Sequence, residues 1–509
     1  MRLAVFTPLD PVRSGISAYS AELLPRLART HEVDIFVEDE VWRAWTRRAT
    51  GRDPIGTRWA PVPARFDPER LNTGHFEQSE PSEPGQDGNE RTGRGESDPA
   101  GSILRAHDFL PRHASHPYDL VIYQLGNATC HDYMWPYLVR HAGLVILHDG
   151  QLHHARARAL LRQGREADYR AEFAYCHPDV DPRVADAVVY GAQGGLYYHW
   201  PLIDVPLRTA RLVAVHNPRL ADDLRERHPA IPIDTIRMGV GDPLPAGAGE
   251  TPVAHDAVTH DGATRPVTFA AFGLITHEKR VPHILRALKT VPGAHVRLVG
   301  QTAAHYDVMA DAKAAGVADR VTIVGYVSDE ALTREMLACD VCLCLRWPTS
   351  HETSASWLRC LAAGKPTIVN DLKHLVDVPT LDPRTWTVLQ ARTDAAAATR
   401  PTPPNDAVAV SIDVLDEDHS LRLAMRRLAN DAPRRVQLGR AARAWWQAHH
   451  TLDAMAADYE RVIADAVRRP APDPASLGLP PHLTADHTDL ARRLLDEMGV
   501  APGLFAPHT

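Results

Sequence analysis

The chain opens on a short apolar run, RLAVFTP, followed by a glycine-containing loop, DPVRSGIS, a stretch of helical period, AYSAELLPRLART, and a second apolar run, EVDIFVE. Short apolar runs separated by helix-period segments predict βαβ units built on a parallel sheet, with the loop that follows each strand gathered along one sheet edge. Strand patterns return at DLVIYQL (119–125), GLVILHD (143–149), RLVAVHN (211–217) and IDTIRMGV (233–240). Residues 151–207 are polar and aromatic with helical period, so a helical elaboration is expected beside the edge where such sheets hold ligands. Residues 72–102 carry almost no aliphatic side chains and much Gly, Pro, Ser and Glu. That composition cannot offset the entropy of ordering, and a disordered insertion is expected there.

A Gly-, Pro- and Ala-rich stretch, 241–266, reads as a linker. After it the alternation restarts: VTFAAFG, VPHILRALKTV, HVRLVG, YDVMADAKAAG, RVTIVGYV, DEALTREMLAC, DVCLCLR, SASWLRCLAA and PTIVN. The predicted architecture is α/β, with two Rossmann-like doubly wound parallel-sheet domains facing a cleft. The first spans 1–240, the second 267–469 including long terminal helices, and 470–509 is a loosely connected tail.

Composition narrows the function. The 509 residues suffice for two or three domains, and the 44% apolar and 24% charged fractions are those of a globular protein. A net charge of -8 with no basic, aromatic-interleaved run argues against a nucleic-acid partner. The start, MRLAVFTPL, lacks the pattern of a secretory signal, and no apolar run approaches the roughly 20 residues of a membrane span, so a cytoplasmic location is expected, with peripheral membrane contact left open. Six cysteines do not make a disulfide framework. Cys339, Cys342 and Cys344 read as part of a buried strand, since no second pair with zinc-site spacing follows. The acidic groups DVD (179–181) and DED (416–418) lie in polar segments and read as solvated charge.

The segment RWPTSHETSASWLRCLAAGKPTIV (346–369) imitates several catalytic signatures. As a P-loop it fails at Arg359 and Pro366, and as a zinc HExxH helix it fails at Ala355. Ser350, His351 and Glu352 are sequence neighbours whose side chains diverge, so they are not a triad. What remains is a strand, a loop, and a helix capped near Thr353 or Ser354 that ends at Gly364. A helix start at the carboxyl edge of a sheet is either a merely capped terminus or an anion site. The loop FGLITHEKR (272–280) ends the first strand of the same domain and adds Lys279 and Arg280 beside Gly273, a combination suited to a diphosphate leaving group.

With these elements the chain resembles retaining GT-B glycosyltransferases of family 4, over most of residues 1–465. The resemblance implies a sugar transferred from a nucleoside diphosphate donor to an acceptor (a glycan, lipid or small molecule) with retention of configuration, without metal or other cofactor. It matches Lys279 to the lysine on the donor diphosphate and Glu352 to the acidic residue at the donor sugar. The backbone of Thr353 and Ser354 would approach the phosphates, and Gly15 in RSGISAYS would lie beside the diphosphate. His148, after an apolar run, resembles the histidine that reaches the sugar. Asn127 and His131 in YQLGNATCH are further contact candidates. Leu274 stands where the family has an arginine, so either Arg280 substitutes as the cation or the diphosphate is held more weakly, and Arg359 stands near the place of the family's ribose-binding glutamate. Two alternatives of the same architecture stay open: a sugar-nucleotide epimerase or phosphorylase, and a catalytically inert partner subunit.

Overall fold

The computed structural model describes residues 1–50, 64–65, 101–192, 194–244, 265–375, 377–389, 407–485, 494–495 and 497–499. Most of the expected disordered insertion and of the expected linker lie outside the described residues; the last two residues of the insertion are ordered, Gly101 packing against Val33 and Ser102 opening the strand Ser102–Arg105.

The amino-terminal sheet runs β3(Ala64–Arg65), β4(Ser102–Arg105), β2(Glu32–Val37), β1(Arg2–Phe6), β5(Leu120–Leu125), β6(Leu144–Leu147), β7(Leu212–Val215), β8(Ile233–Thr235). All pairs are parallel except β3 with β4. β1, β5, β6 and β7 are almost entirely buried, as expected of strands covered on both faces. The second sheet runs β11(Val321–Gly325), β10(His295–Val299), β9(Thr268–Phe272), β12(Val341–Leu343), β13(Thr367–Asn370), β16(Ala409–Ile412), β14(Thr380–Leu381), β15(Val388–Leu389), parallel except for the last pair. Strand order reverses at β1/β5 in one sheet and at β9/β12 in the other. These are the switch points where adjacent loops part and a crevice opens, and both lie on the cleft.

Residues 151–207 form successive helices, His153–Leu161, Glu166–Cys176, Arg183–Val189, Leu196–His199 and Asp204–Thr209, around a small core of their own that includes Tyr169, Phe173 and Val188.

The terminal helices depart from the sequence reading. Helix Ala432–His449 stays on the second domain, where Gly439 sits against Gly364: a Cβ on Gly439 would lie 2.2 Å from the Gly364 carbonyl oxygen. Helix Leu452–Arg468 crosses back to the first domain, burying Met455, Tyr459, Val462 and Ile463 in a core shared with Leu23, Leu24 and Ile122. Arg237 chelates Asp458 and Arg461 pairs with Asp234 on the same face. Nor is the following segment loose as far as Ala485. Leu479 and Leu483 join the first domain's core, Tyr175 donates to the Leu477 carbonyl at 3.1 Å, and His482 meets Glu172 at 2.8 Å. An amphipathic stripe shows that a helix will be covered, and the covering partner is a tertiary choice.

Candidate functional site

The β9 loop turns at Gly273, whose φ of 93° is costly for any side-chain-bearing residue. It then runs into the 3₁₀ turn His277–Lys279 and the helix Val281–Leu288. The Lys279 ammonium folds back over this turn and donates to the Phe272 carbonyl at 2.7 Å. A Cβ on Gly273 would sit 3.6 Å from Lys279 Nζ and 4.0 Å from Ser356 Oγ, so the glycine loop, the lysine and the first turn of helix Ala355–Ala362 converge. Burial lowers the Lys279 pKa to about 8, and the nearby Arg346 adds to the shift.

Helix Ala355–Ala362 begins as its sequence suggests. Ser354 is the N-cap and accepts from Trp357 N at 3.3 Å, while Gly364 ends the helix with φ 64°. The Thr353 hydroxyl is buried without a hydrogen-bond partner among the described residues. The preceding turn passes through His351 at φ 61° and folds Glu352 back on itself: one carboxylate oxygen accepts from Ser350 N and Thr349 Oγ1, each at 2.8 Å, and the other pairs with Arg346 Nη1. Arg346 is placed by its own backbone N–H, which donates to Asn370 Oδ1 at 2.7 Å.

Across the cleft three loops of the first domain meet at Gly126. A Cβ there would fall 2.3 Å from Ile16 Cδ1, 3.1 Å from His131 Nε2 and 3.3 Å from Asp149 Oδ2, so a larger residue would have to displace the Ile16 side chain and crowd the two polar groups. Gly15 starts helix Gly15–Leu27 behind the Ser14 cap and faces open space. Asp149 accepts from Asn127 N at 2.8 Å, and Asn127 also holds Ala155 N at 3.0 Å, tying the β5 and β6 loops to the helical elaboration. Burial raises the Asp149 pKa to about 7; the facing Glu352 adds to the rise and Arg346 opposes it. Tyr198 feels Glu278, Glu352 and Asp149 and is pushed, mainly by burial, to about 12. The elaboration therefore roofs the cleft, with His154 packed on Tyr197 and Tyr198.

His148 sits one layer deeper. Its Nε2 lies 2.8 Å from the Gln124 side-chain amide and its Nδ1 3.1 Å from His216 Nε2, while His216 Nδ1 lies 3.0 Å from the Ile236 carbonyl. Burial lowers the pKa of both rings, that of His216 to about 4, so both are neutral. A neutral ring has one donor and one acceptor. His216 must donate to Ile236, so His148 donates to His216, and Gln124 turns its NH₂ towards His148 and its carbonyl towards Tyr459. Tyr19 completes the row by donating to Tyr459 at 2.8 Å. His131 anchors the same strand end, its Nδ1 at 2.9 Å from the Gln124 backbone carbonyl.

The structure thus brings Gly273, Lys279, Glu352, Thr353 and Ser354 together on one wall and Gly15, Asn127 and His131 on the other, with both nitrogens of His148 engaged inside the protein. Two cations are placed elsewhere than the sequence reading put them. Arg280, at φ 59°, lays its guanidinium on the buried Glu417 and on His283. Arg359 reaches across to Glu22 on the first domain at 3.4 Å, an interdomain tie. Residues that sequence reasoning missed are Arg346 and Asp149. Asp149 carried a signal, standing directly after His148 at a strand end, whereas Arg346 was hidden by its neighbours' false motifs. Among the described residues no group of three or more His, Cys, Asp or Glu side chains could hold a metal ion. The DED glutamate is Glu417, taken up by Arg280, and Asp181 of DVD pairs with Arg183.

No protein-family model matches the chain. A 2-deoxystreptamine N-acetyl-D-glucosaminyltransferase of Streptomyces fradiae is 30% identical over 205 residues, 38% of this chain and 47% of that protein. The chain thus spans about half the length of the curated relative it matches. Sucrose-phosphate synthase of Thermosynechococcus elongatus superposes with a TM-score of 0.53 at 16% identity, covering 91% of this chain and 98% of that one. HepE of Anabaena, solved in complex with UDP-glucose, superposes with a TM-score of 0.52 at 11% identity, covering 91% and 99%. The chain has the fold of these proteins, two parallel-sheet α/β domains of the GT-B kind facing one cleft.

Proposed function

We propose that the protein is a glycosyltransferase that takes a nucleoside diphosphate sugar as donor and transfers the sugar with retention of configuration. The observation that carries this reading is the convergence of Lys279, the Gly273 turn and the start of helix Ala355–Ala362 at the β9/β12 switch point, with Glu352 beside them. A diphosphate gains negative charge as its bond to the sugar breaks. A buried ammonium and free helix N–H groups answer that charge without a metal, and the fold holds them in place before the donor arrives. In a front-face reaction the departing oxygen itself accepts the acceptor's proton, so the protein's work is positioning and charge stabilisation.

Roles follow from placement. Lys279 and the backbone of Thr353 and Ser354 hold the diphosphate, with Gly15 opposite, where the open space above it leaves room for the donor. Glu352 accepts from sugar hydroxyls. His148, neutral and twice bonded, fixes the β6 loop so that Asp149 is presented to the cleft. Asp149, with Asn127 and the Tyr197–Tyr198 roof, forms the acceptor side. The Streptomyces relative is named for transfer of N-acetyl-D-glucosamine to 2-deoxystreptamine, and a small hydroxyl-bearing acceptor of that kind suits a carboxylate opposite the donor.

The test is product analysis. The protein is incubated with UDP-, GDP- and dTDP-sugars, with and without a panel of small polyol and amino-sugar acceptors, and products are identified by mass spectrometry. A glycosylated acceptor together with nucleoside diphosphate supports the reading. An altered sugar nucleotide without acceptor indicates an epimerase, and donor binding with no turnover indicates an inert partner.

A further inference from the structure

Lys279 alone is a thin match for a leaving group of two phosphates. Position 274, which follows the Gly273 turn, is occupied by Leu274, and that side chain is 57% exposed. Arg280 is withdrawn behind the turn on Glu417. The cation on the open side is Arg346. It pairs with Glu352 in the turn that Gly150 of the Asp149 loop bonds, and its neighbour Trp347 donates through its backbone N–H to the Glu278 carbonyl at 2.9 Å in the Lys279 turn, so it stands between the groups of both walls. Its charge also depresses the Lys279 pKa and opposes the rise at Asp149 and Tyr198. Its side chain is 42% exposed, and its carboxylate partner is Glu352.

We infer that Arg346 is the second diphosphate-binding cation of this site and that Glu352 holds it in waiting. This rests on the glycosyltransferase reading above. The arrangement behind it explains why the withdrawn Arg280 still matters. Arg280 fixes Glu417, Glu417 accepts from Asn370 Nδ2 at 3.4 Å, and Asn370 Oδ1 fixes the backbone N–H of Arg346 at 2.7 Å. One arginine thereby sets the root of the other, whose guanidinium is held, among the described residues, by the Glu352 carboxylate. When donor enters, the guanidinium leaves Glu352 for phosphate oxygens, which it can engage bidentately. The same movement releases a Glu352 oxygen to a sugar hydroxyl, while the other oxygen stays held by Ser350 N and Thr349. Diphosphate binding and sugar recognition are then coupled through one ion pair. A nucleoside monophosphate, which offers no outer phosphate, should gain little from Arg346.

The experiment measures dissociation constants of UDP and UMP, and likewise GDP/GMP and ADP/AMP, by calorimetry on the full chain. The base that binds wild type is carried to Arg346→Ala, Arg346→Gln and the double variant Leu274→Arg/Arg346→Ala. Loss of one charged contact corresponds to roughly a ten- to hundredfold weakening. The expected result is a loss of that size for the diphosphate, less than about threefold for the monophosphate, and recovery of at least about tenfold in the double variant, because position 274 is exposed and accommodates an arginine. Circular dichroism checks that the single variants fold, and Arg346→Gln keeps the stem if the alanine variant does not. Equal affinity of wild type and both single variants for the diphosphate, or an equal loss for mono- and diphosphate, overturns the inference and leaves the glycosyltransferase reading intact. Wild type that binds none of the diphosphates removes that reading, and this inference with it.

Discussion

The backbone N–H of Gly150 donates to the carbonyl of Ser350 at 2.7 Å, joining the loop that presents Asp149 to the turn that presents Glu352. The two walls of the cleft are therefore in register through a main-chain bond. Asn217 Nδ2 adds a second bond, to the His351 carbonyl at 3.1 Å. The approach is tight: a Cβ on Gly150 would lie 3.0 Å from Leu220 Cδ1 and 3.1 Å from Ser350 O, so the neighbours would have to give way. Gly150→Val should cost about 1–3 kcal/mol of stability as an overpacking change, read by urea denaturation, and should lower kcat/KM by opening the cleft. A variant with wild-type stability and turnover would show that this register is not needed.

Lys279 should set the pH dependence of donor binding. Its pKa of about 8 in the free protein lies below that of an ordinary lysine because burial disfavours the charged form. A bound diphosphate favours the charge and raises the pKa again. Affinity should be flat below pH 8 and fall by up to about tenfold per unit above it, with proton uptake on binding near pH 8. Calorimetry in two buffers of different ionisation enthalpy measures that uptake. Lys279→Ala should lower turnover roughly a hundredfold or more, the scale of losing a preorganised charge.

Asp149→Asn should separate stability from acceptor use. The folded pKa of about 7 exceeds the ordinary carboxyl value, so ionisation costs the folded state. That cost is absent where both states are protonated, grows from about pH 4 to about pH 7, and is constant above. The asparagine variant should therefore gain stability over wild type across that window, by up to about 4 kcal/mol at pH 7, while the acceptor KM rises. Thermal denaturation at a series of pH values checks the first claim and steady-state kinetics the second.

Much of the scaffold was legible in the chain itself. The strand-length apolar runs and the loops they end in, Gly15 at the start of its helix, Gly273 with Lys279, and the Ser354-capped helix, follow from local rules of period, capping and glycine conformation. The long side chains were not legible. Arg280 and Arg359 have their sequence neighbours at the cleft, yet their guanidinium groups travel to Glu417 and Glu22, partners 137 and 337 positions away. Helix Leu452–Arg468 displayed its apolar stripe but not the domain that covers it. His148 was found by its strand-end position, whereas its double engagement depends on Gln124 and His216 arriving from other strands.

That row of buried donors gives a further outcome. Tyr459 accepts from Tyr19 and donates to Gln124, and it links the returning helix to the first sheet. Tyr459→Phe leaves a buried hydroxyl and amide without partners, which should cost about 1–3 kcal/mol, measured by chemical denaturation. A neutral substitution would mean that the row is not held as described.

The central claim is that the cleft takes a nucleoside diphosphate sugar, and thermal denaturation with a panel of such donors tests it most directly. At a hundred times its dissociation constant a true donor should stabilise the protein by about 2.7 kcal/mol, with the shift largely lost in Lys279→Ala. A flat panel, or a shift that Lys279→Ala leaves untouched, would contradict the account.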